Sequence, residues 1–168
     1  GFRDVLDIGY ESRFDQYDIL IEKTMSLVPR KHRYVIKERT DVNGSIIEPI
    51  NTDAFKGLVD KIKDENFKSV GIGFLHSYAN PENENILKDY LINNLPGVEI
   101  SISSDVCPEI REYERFTTTV VNAYIKPLMA NYLKKLDNKL KQKGFNCSLL
   151  LMTSGGTLTN IESACKNP

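Results

Sequence analysis

The sequence contains few of the residues that build metal sites and disulfide frameworks. Its 168 residues include three cysteines, two histidines and no tryptophan. Cys107, Cys147 and Cys165 are odd in number and form no Cys-x-x-Cys pair, which favours reduced thiols in a cytoplasmic protein over a disulfide framework. His32 and His76 lie far apart in the sequence, so we expect no zinc or other metal site.

Long apolar runs and an excess of one charge are also absent. No stretch approaches the roughly 20 apolar residues that a membrane-spanning helix needs, and no basic segment leads into an apolar secretory signal. The chain has 22 Lys and Arg against 23 Asp and Glu, a net charge of −1, whereas a duplex nucleic-acid binder usually carries a basic surplus. With 40% hydrophobic and 27% charged residues, it is expected to be a cytoplasmic globular protein without nucleic-acid or membrane partners.

Two segments of different character divide the chain. Residues 1–30 carry only a short apolar alternation and predict an irregular arm or linker, whereas residues 31–168 carry the regular patterns of a domain. At the start of that domain, the β-prone runs 33–39 and 45–50 flank Asn43 and Gly44. Asn-Gly between such runs is a strong hairpin signal because the turn needs a positive φ, so we predict a β-hairpin.

The pattern then changes to alternating helices and strands. Thr52 can cap a first helix, and the apolar run 69–75 predicts a strand that is covered on both faces. Asn80 and Pro81 predict the start of a second helix. Residues 98–103 alternate as in a strand with one polar face. The residues expected to be buried by the two helices are Phe55, Leu58, Val59 and Ile62, then Ile86, Leu87, Tyr90 and Leu91. Two strands joined through a helix predict a right-handed βαβ unit.

A long helix is predicted over residues 117–143. Its apolar stripe comprises Val121, Tyr124, Leu128, Tyr132, Leu136 and Leu140, reinforced by Ile125, Met129 and Leu133. Pro127 should kink or split this helix, and Gly144 should end it. Residues 148–153 predict another buried strand, and Thr159 with Glu162 predicts a capping box for a last short helix. The fold class is therefore α/β, with a mixed sheet, βαβ units and a β-hairpin.

Three places in the pattern could carry chemistry. Ser154, Gly155 and Gly156 form a turn after the strand 148–153, and ligands of open α/β sheets bind at the carboxyl ends of strands. The turn lacks the Gly-Lys-Ser/Thr element of a P-loop, and a plain tight turn remains the alternative. His76 follows the strand 69–75 and could face a cleft at the end of that strand, although a lone histidine in such a place is more often a structural hydrogen-bond donor.

The third place is the charged run PEIREYER at residues 108–115. Glu109, Arg111, Glu112 and Arg115 crowd around Tyr113 just before the long helix. Carboxylates beside guanidinium groups can position a polar planar substrate or a water molecule. Compensation of charge at the protein surface is the alternative.

Taken together, several stretches resemble the hydantoinase A/5-oxoprolinase family. These are GFRDVLDIG (1–9), HSYANPENE (76–84), SSDVCPEIREYERFTTTVVNAYIKPLM (103–129) and LLLMTSGGTL (149–158). The resemblance implies a sugar kinase/actin-like architecture with two lobes, and an activity that opens cyclic amides such as hydantoins or 5-oxoproline with ATP and Mg²⁺. It also implies a hydantoinase B-type second subunit or domain. A small cyclic amide is the implied substrate.

The sequence also departs from the family pattern. The Asp-x-Gly-Gly-Thr phosphate motifs do not occur in it, so we expect a central fragment of a larger subunit that binds no cofactor and turns over no ATP alone. Asn83 stands where members often carry a second histidine, and Gly155 stands where they often carry asparagine.

Site residues are carried over from the resemblance by position. The expected pocket residues are Arg3, Asp4, His76, Glu109, Arg111, Tyr113, Arg115, Ser154, Gly155 and Gly156. Glu112 is the candidate to orient water or the ring N–H, and Arg111 or Arg115 is the candidate to hold a substrate oxygen. The alternatives are an ATP-dependent ketone carboxylase subunit and a non-catalytic interaction module that docks through the Lys-rich helix and the arm; homo-oligomerisation stays open.

Overall fold

The computed structural model of the protein describes residues 2–10, 17–22 and 25–168. In this part of the chain the α-helices are α1 (Val5–Ile8), α2 (Phe55–Asp64), α3 (Glu82–Asn94), α4 (Ser103–Val106), α5 (Glu112–Gln142) and α6 (Ile161–Lys166). The strands are β1 (Arg39–Thr40), β2 (Ile46–Glu48), β3 (Ser69–Ile72), β4 (Glu99–Ile102), β5 (Leu150–Met152) and β6 (Leu158–Asn160). Short 3₁₀ turns occupy Phe2–Asp4, Arg30–His32 and Thr52–Ala54.

The predicted first hairpin is confirmed, with strands shorter than the β-prone runs. β1 and β2 pair antiparallel, and the Asp41 N–H donates to the Ser45 carbonyl at 2.9 Å. Gly44 takes a φ of +86° and donates to the Asp41 carbonyl, which gives the three-residue loop in which a type I turn is followed by a left-handed residue. The Asp41 side chain also accepts from the N–H groups of Asn43 and Ser45.

The predicted βαβ unit is also confirmed. β3 and β4 pair in parallel through α3, with Ser69 opposite Glu99 and Ile72 opposite Ile102. α2 and α3 pack their apolar faces against these strands and form the hydrophobic core. Its buried members are Ile50, Phe55, Val59, Ile62, Ile72, Leu87, Leu91, Leu95, Ile100 and Ile102.

Details of this unit differ from the sequence-based expectation. Asn51, rather than Thr52, caps the turn before α2, since its side chain accepts from the Asp53 N–H. Ile86, expected to be buried, lies exposed on α3. β4 has no solvated polar face, because Ser101 is buried and accepts a hydrogen bond from Asn122 of α5 at 3.0 Å.

α5 is one continuous helix that begins five residues earlier than predicted and runs through Pro127 without being split. The apolar stripe does not pack on the sheet: Val121, Tyr124, Leu128 and Tyr132 are exposed. The face that does pack is smaller and more polar, and its buried members are Arg115, Thr119, Asn122, Ala123, Ala130 and Leu133. Within the described residues, no helix combines the length and the apolar character needed to cross a membrane.

The described strands form three two-stranded sheets and not one mixed sheet. β5 and β6 make a second antiparallel hairpin, and Leu150 and Met152 are exposed, so the predicted buried strand at 148–153 is wrong. α6 is capped by Asn160, whose side chain accepts from the Ser163 N–H, and not by Thr159. A two-lobed architecture needs more chain than these residues provide and stays a prediction.

Candidate functional site

The carboxyl ends of β3 and β4 are joined by a buried carboxylate that the sequence analysis did not single out. Glu84, in the first turn of α3, is fully buried. One of its oxygens accepts from the Phe74 N–H at 2.9 Å and from the Ser103 hydroxyl at 2.6 Å. The other accepts from the N–H and hydroxyl of Ser104 at 3.0 and 2.7 Å. Glu84 therefore fixes the residues that follow each strand.

Arg115 provides a second connection at the same end of the sheet. Its side chain is fully buried, and it donates to the carbonyls of Glu109, Ile110 (3.1 Å) and Phe74 (3.0 Å). The guanidinium carbon also lies 5.4 Å from the centre of the Tyr78 ring, within cation–π range. Burial lowers the pKa of this guanidinium. Arg115 thus binds the start of α5 to the end of β3.

His76 lies in the turn between these two connections. Its φ of +60° is in the left-handed region, which a non-glycine residue adopts only at a cost. The imidazole Nδ1 lies 3.2 Å from the Tyr78 hydroxyl, and the Nε2 atom has no hydrogen-bond partner among the described residues. Below it, the Ser77 hydroxyl donates to the Phe74 carbonyl and bonds to the Ser103 hydroxyl. The Nε2 atom of His76 is therefore available to a ligand at the end of β3.

The charged run 108–115 divides into buried and exposed parts. Glu109 and Arg111 are exposed, and the Arg111 guanidinium lies 3.9 Å from the Glu114 carboxylate, the upper limit for an ion pair. Glu112 is the first residue of α5, where a carboxylate is favoured by the helix dipole. Its charge also acts on the guanidinium of Arg115. The structure therefore brings Arg115 to the end of β3, near His76, and Glu112 lies about one helical turn before Arg115 on α5.

Tyr113 holds the arm rather than the strand ends. Its ring packs edge-to-face on Tyr10 with the ring centres 5.0 Å apart. A Cβ placed on Gly9 would lie 3.4 Å from the Tyr113 ring, which is ordinary van der Waals contact. Gly9 also has a φ of +54°.

Arg3 and Asp4 are likewise committed to contacts within the arm. Arg3 donates to the Arg30 carbonyl at 3.0 Å, and the Asp4 carboxylate accepts from the Arg30 guanidinium at 2.8 Å. The hydrogen bond from Arg30 lowers the pKa of Asp4. A parallel pair joins Arg33 to Asp7 at 2.6 Å.

The 154–156 turn does not come together with the other candidates in this chain. Ser154, Gly155 and Gly156 form the exposed tip of the β5–β6 hairpin, and a Cβ placed on Gly156 would contact no described residue within 4 Å. The turn closes on itself, because the Gly156 N–H donates to the Thr153 carbonyl and the Thr157 N–H donates to the Thr153 hydroxyl. Its predicted role in a pocket stays a prediction.

Asn83 also has a specific place in the structure. It is buried in the first turn of α3, where it accepts from the Ile50 N–H and donates to the Glu38 carboxylate at 2.8 Å and to the Thr40 hydroxyl. Both the oxygen and the nitrogen of the Asn83 side-chain amide therefore anchor the β1–β2 hairpin and the residues that follow it. Burial raises the pKa of Glu38, against the opposing effect of these hydrogen bonds.

The described part of the chain contains cavities away from the carboxyl end of β3. A groove of about 230 Å³ follows the outer side of β4, between Lys88 and Lys126, and a smaller one of about 170 Å³ separates Leu6 from Val120. Neither is lined by His76 or by the 154–156 turn. The described residues contain no group of three His, Cys, Asp or Glu side chains that could hold a metal ion.

Comparison with known proteins assigns the chain to a family. The family described as "Hydantoinase/oxoprolinase N-terminal region" matches residues 1–95, and "Hydantoinase/oxoprolinase" matches residues 115–168. An uncharacterized protein of Methanocaldococcus jannaschii is 42% identical over all of this chain and 25% of its own length. The acetone carboxylase beta subunit of Xanthobacter autotrophicus is 30% identical over 79% of this chain and 19% of its own length.

A solved structure supports the same assignment. The caprolactamase subunit alpha of Pseudomonas jessenii is 32% identical over 94% of this chain and 23% of its own length. The crystal structure of this ATP-dependent caprolactamase superposes with a TM-score of 0.87 over 94% of this chain. The chain thus spans about a quarter or less of the length of these relatives. With the family matches and the shared fold in agreement, the chain belongs to the hydantoinase/oxoprolinase family.

Proposed function

We propose that the chain is part of a subunit of an ATP-dependent hydrolase that opens cyclic amides such as lactams, hydantoins or 5-oxoproline. The observation that carries the proposal is the likeness to caprolactamase, at 32% identity and a TM-score of 0.87. The amide carbonyl of a lactam is stabilised by resonance, so ring opening by water requires activation, which ATP supplies when bound. The substrate itself is a small cyclic amide in this proposal.

Within that subunit, the ends of β3 and β4 form one wall of the substrate pocket. Ligands of open α/β sheets bind outside the carboxyl ends of the strands. The left-handed conformation of His76 supports this placement, because such backbone strain concentrates at functional sites. The network of Glu84 and Arg115 beneath the turn holds the conformation in place.

The proposed roles follow from which groups remain available. His76 Nε2 binds a substrate oxygen or ring N–H, and Glu112 orients water or the ring N–H at the start of α5. Arg111, whose side chain is 76% exposed, is the guanidinium free to reach a substrate oxygen. Arg115 acts as a positioning residue, because its N–H groups are largely occupied by three backbone carbonyls.

The sequence contains no Asp-x-Gly-Gly-Thr phosphate motif. At the 154–156 turn, the N–H groups of Gly156 and of the following Thr157 donate to Thr153. We therefore assign ATP and its Mg²⁺ to parts of the subunit outside residues 1–168. A hydantoinase B-type second subunit or domain completes the enzyme in this proposal, and the relatives named as alpha and beta subunits support it.

A ketone carboxylase is the second candidate function. The acetone carboxylase beta subunit is 30% identical over 79% of this chain. Both reactions require activation of a carbonyl compound, and the described residues contain no feature that discriminates a ring N–H from a ketone. The two functions are separable by substrate.

The experiment uses the full-length subunit together with its second subunit and measures substrate-dependent ATP hydrolysis. A panel of lactam, hydantoin and 5-oxoproline is compared with acetone plus bicarbonate. A ring-opened product from any of the cyclic amides would support the hydrolase. If acetone plus bicarbonate were the only active combination in the panel, the proposed function would instead be that of a ketone carboxylase. Glu112→Gln should lower the cyclic-amide rate, whereas Glu82→Gln, an exposed carboxylate in the first turn of α3, should not.

The role of His76 is tested with a matched control. His76→Gly and Asn66→Gly each replace a described non-glycine residue of positive φ, at +60° and +53°, so both keep the backbone conformation. His76→Gly should reduce kcat by about 10²-fold or more, the scale for loss of a positioned proton-transfer or hydrogen-bonding group. Asn66, at the end of α2, should be replaceable without loss. Equal activity of the two variants would remove His76 from the pocket.

A further inference from the structure

The turn that follows β3 holds two aromatic side chains together. The His76 carbonyl accepts from the N–H groups of Ala79 at 2.9 Å and Asn80 at 3.3 Å, so the backbone of the turn is closed on itself. Ser77, between the two aromatic residues, is buried and fixed by hydrogen bonds of its hydroxyl group. The rings of His76 and Tyr78 meet edge-to-face, with their centres 5.7 Å apart. The backbone of the turn therefore fixes the geometry of this pair.

The Tyr78 hydroxyl has a single hydrogen-bond partner among the described residues. That partner is the Nδ1 atom of His76, 3.2 Å away. The hydroxyl group of a buried tyrosine usually finds a hydrogen-bond partner, and Nδ1 is an acceptor only when it carries no proton. If Nδ1 carried the ring proton, the hydroxyl proton of Tyr78 would have no acceptor in the part of the chain that the structure describes. The contact therefore favours a hydrogen bond that runs from the Tyr78 O–H to Nδ1.

The guanidinium of Arg115 favours the same direction. Its central carbon lies 5.4 Å from the centre of the Tyr78 ring, and its hydrogen bonds to three backbone carbonyls hold it there. A positive charge beside the ring attracts its electrons and polarises the O–H bond, which strengthens the hydroxyl as a donor and weakens it as an acceptor. Arg115 thus makes the opposite hydrogen bond, from Nδ1–H to the Tyr78 oxygen, less favourable.

We propose that the Tyr78 hydroxyl donates a hydrogen bond to Nδ1 and so keeps the imidazole proton of His76 on Nε2. The hydrogen bond at one ring nitrogen sets which of the two nitrogens carries the proton. His76 then presents an N–H donor at the end of β3, which suits the carbonyl oxygen of a cyclic amide and not its ring N–H. Tyr78 is a positioning residue, because it acts through His76. The choice of substrate atom rests on the proposed function, whereas the tautomer rests on the contacts of Tyr78 alone.

Nitrogen-15 NMR of the full-length subunit with labelled histidine tests the tautomer. Spectra are recorded on the high-pH plateau of the histidine signals, where the imidazole rings are neutral, and His76→Gly identifies the His76 signals by their loss. The parent should show Nε2 at the chemical shift of a protonated ring nitrogen and Nδ1 at that of an unprotonated one. A proton on Nδ1 in the parent would overturn the proposal.

Tyr78→Phe and Tyr90→Phe form a matched pair of variants. Each removes one phenol hydroxyl, and Tyr90 packs on Phe55 beside the hydrophobic core, with the ring centres 5.0 Å apart. Tyr78→Phe should move the His76 signals towards the average of the two tautomers, whereas Tyr90→Phe should leave them in place. Unchanged His76 signals in Tyr78→Phe would also overturn the proposal.

Substrate-dependent ATP hydrolysis shows whether Tyr78 acts through His76. With the second subunit present, Tyr78→Phe should lower kcat by about 2- to 10-fold, the scale for one neutral hydrogen bond. In the His76→Gly background the same change should have no further effect, because residues that act as a unit are not additive. Equal losses in the two backgrounds would refute the positioning role. If no cyclic amide is a substrate, the proposed function fails, and the NMR spectra still decide the tautomer.

Discussion

Replacement of Arg115 by alanine is expected to destabilise the domain strongly, because this side chain connects the end of β3 to the start of α5. It is fully buried and donates to the carbonyls of Phe74, Glu109 and Ile110. Each hydrogen bond that the buried guanidinium donates contributes roughly 1 kcal/mol to stability. Three of them give about 3 kcal/mol as an upper value, because the Phe74 carbonyl keeps Ser77 as a donor in the variant and Ile110 is exposed to water.

Urea unfolding followed by circular dichroism measures this loss. With a urea dependence of about 1–3 kcal/mol/M, a loss near 3 kcal/mol should lower the midpoint of this domain's transition by about 1–3 M. Arg115→Lys should fall between the parent and Arg115→Ala, because an ammonium group keeps the charge but cannot reach three carbonyls with a planar fork.

The control is Arg111→Ala in the same charged run. The Arg111 side chain is 76% exposed and makes only a 3.9 Å contact with Glu114, so its loss should change stability by no more than about 0.5 kcal/mol. If Arg115→Ala shifted the midpoint no further than Arg111→Ala, the hydrogen bonds from Arg115 that connect β3 to α5 would not contribute to stability, and the prediction would be refuted.

Two further substitutions test packing and ionisation. Gly73→Ala should cost about 1–3 kcal/mol in urea unfolding, because the new Cβ would lie 2.5 Å from the Phe116 ring. Adding Phe116→Leu to the Gly73→Ala variant should recover part of the lost stability. No recovery in the double variant would argue against a clash with the Phe116 ring. Burial raises the pKa of Glu38 in the folded protein. The contribution of Glu38 to stability is therefore complete below the pKa that it has in the unfolded chain, and is lost as the pH rises through its pKa in the folded protein. The Tm of Glu38→Gln should therefore rise relative to the parent between about pH 4 and pH 7, whereas a constant difference would contradict the burial argument.

Prediction succeeded where the determinants are local in the sequence. The turn at Gly44, the apolar spacing of α2 and α3, and the short connections of the βαβ unit depend on neighbouring residues, and the structure has them, apart from the exposed Ile86. It failed where periodicity identifies a face without saying what covers it. Tyr124 and Leu128 share an apolar stripe on α5, yet α5 packs through Thr119 and Ala123 instead.

The candidate site shows the same division. His76 was identified because it directly follows a predicted strand, and the structure places it at the end of β3. Glu84 was not singled out, since nothing in its neighbours along the sequence indicates that donors from Phe74, Ser103 and Ser104 surround it.

By itself, the sequence determined the family, the αβ alternation and the position of His76, because these depend on motifs and on short-range spacing. Only the tertiary structure decided that Arg115 is a buried connector and that Tyr113 holds the arm. Each of these roles depends on a partner more than 20 residues away or on burial by several elements at once. Such contacts are set by how the elements pack, and no local pattern of charge or hydrophobicity records them.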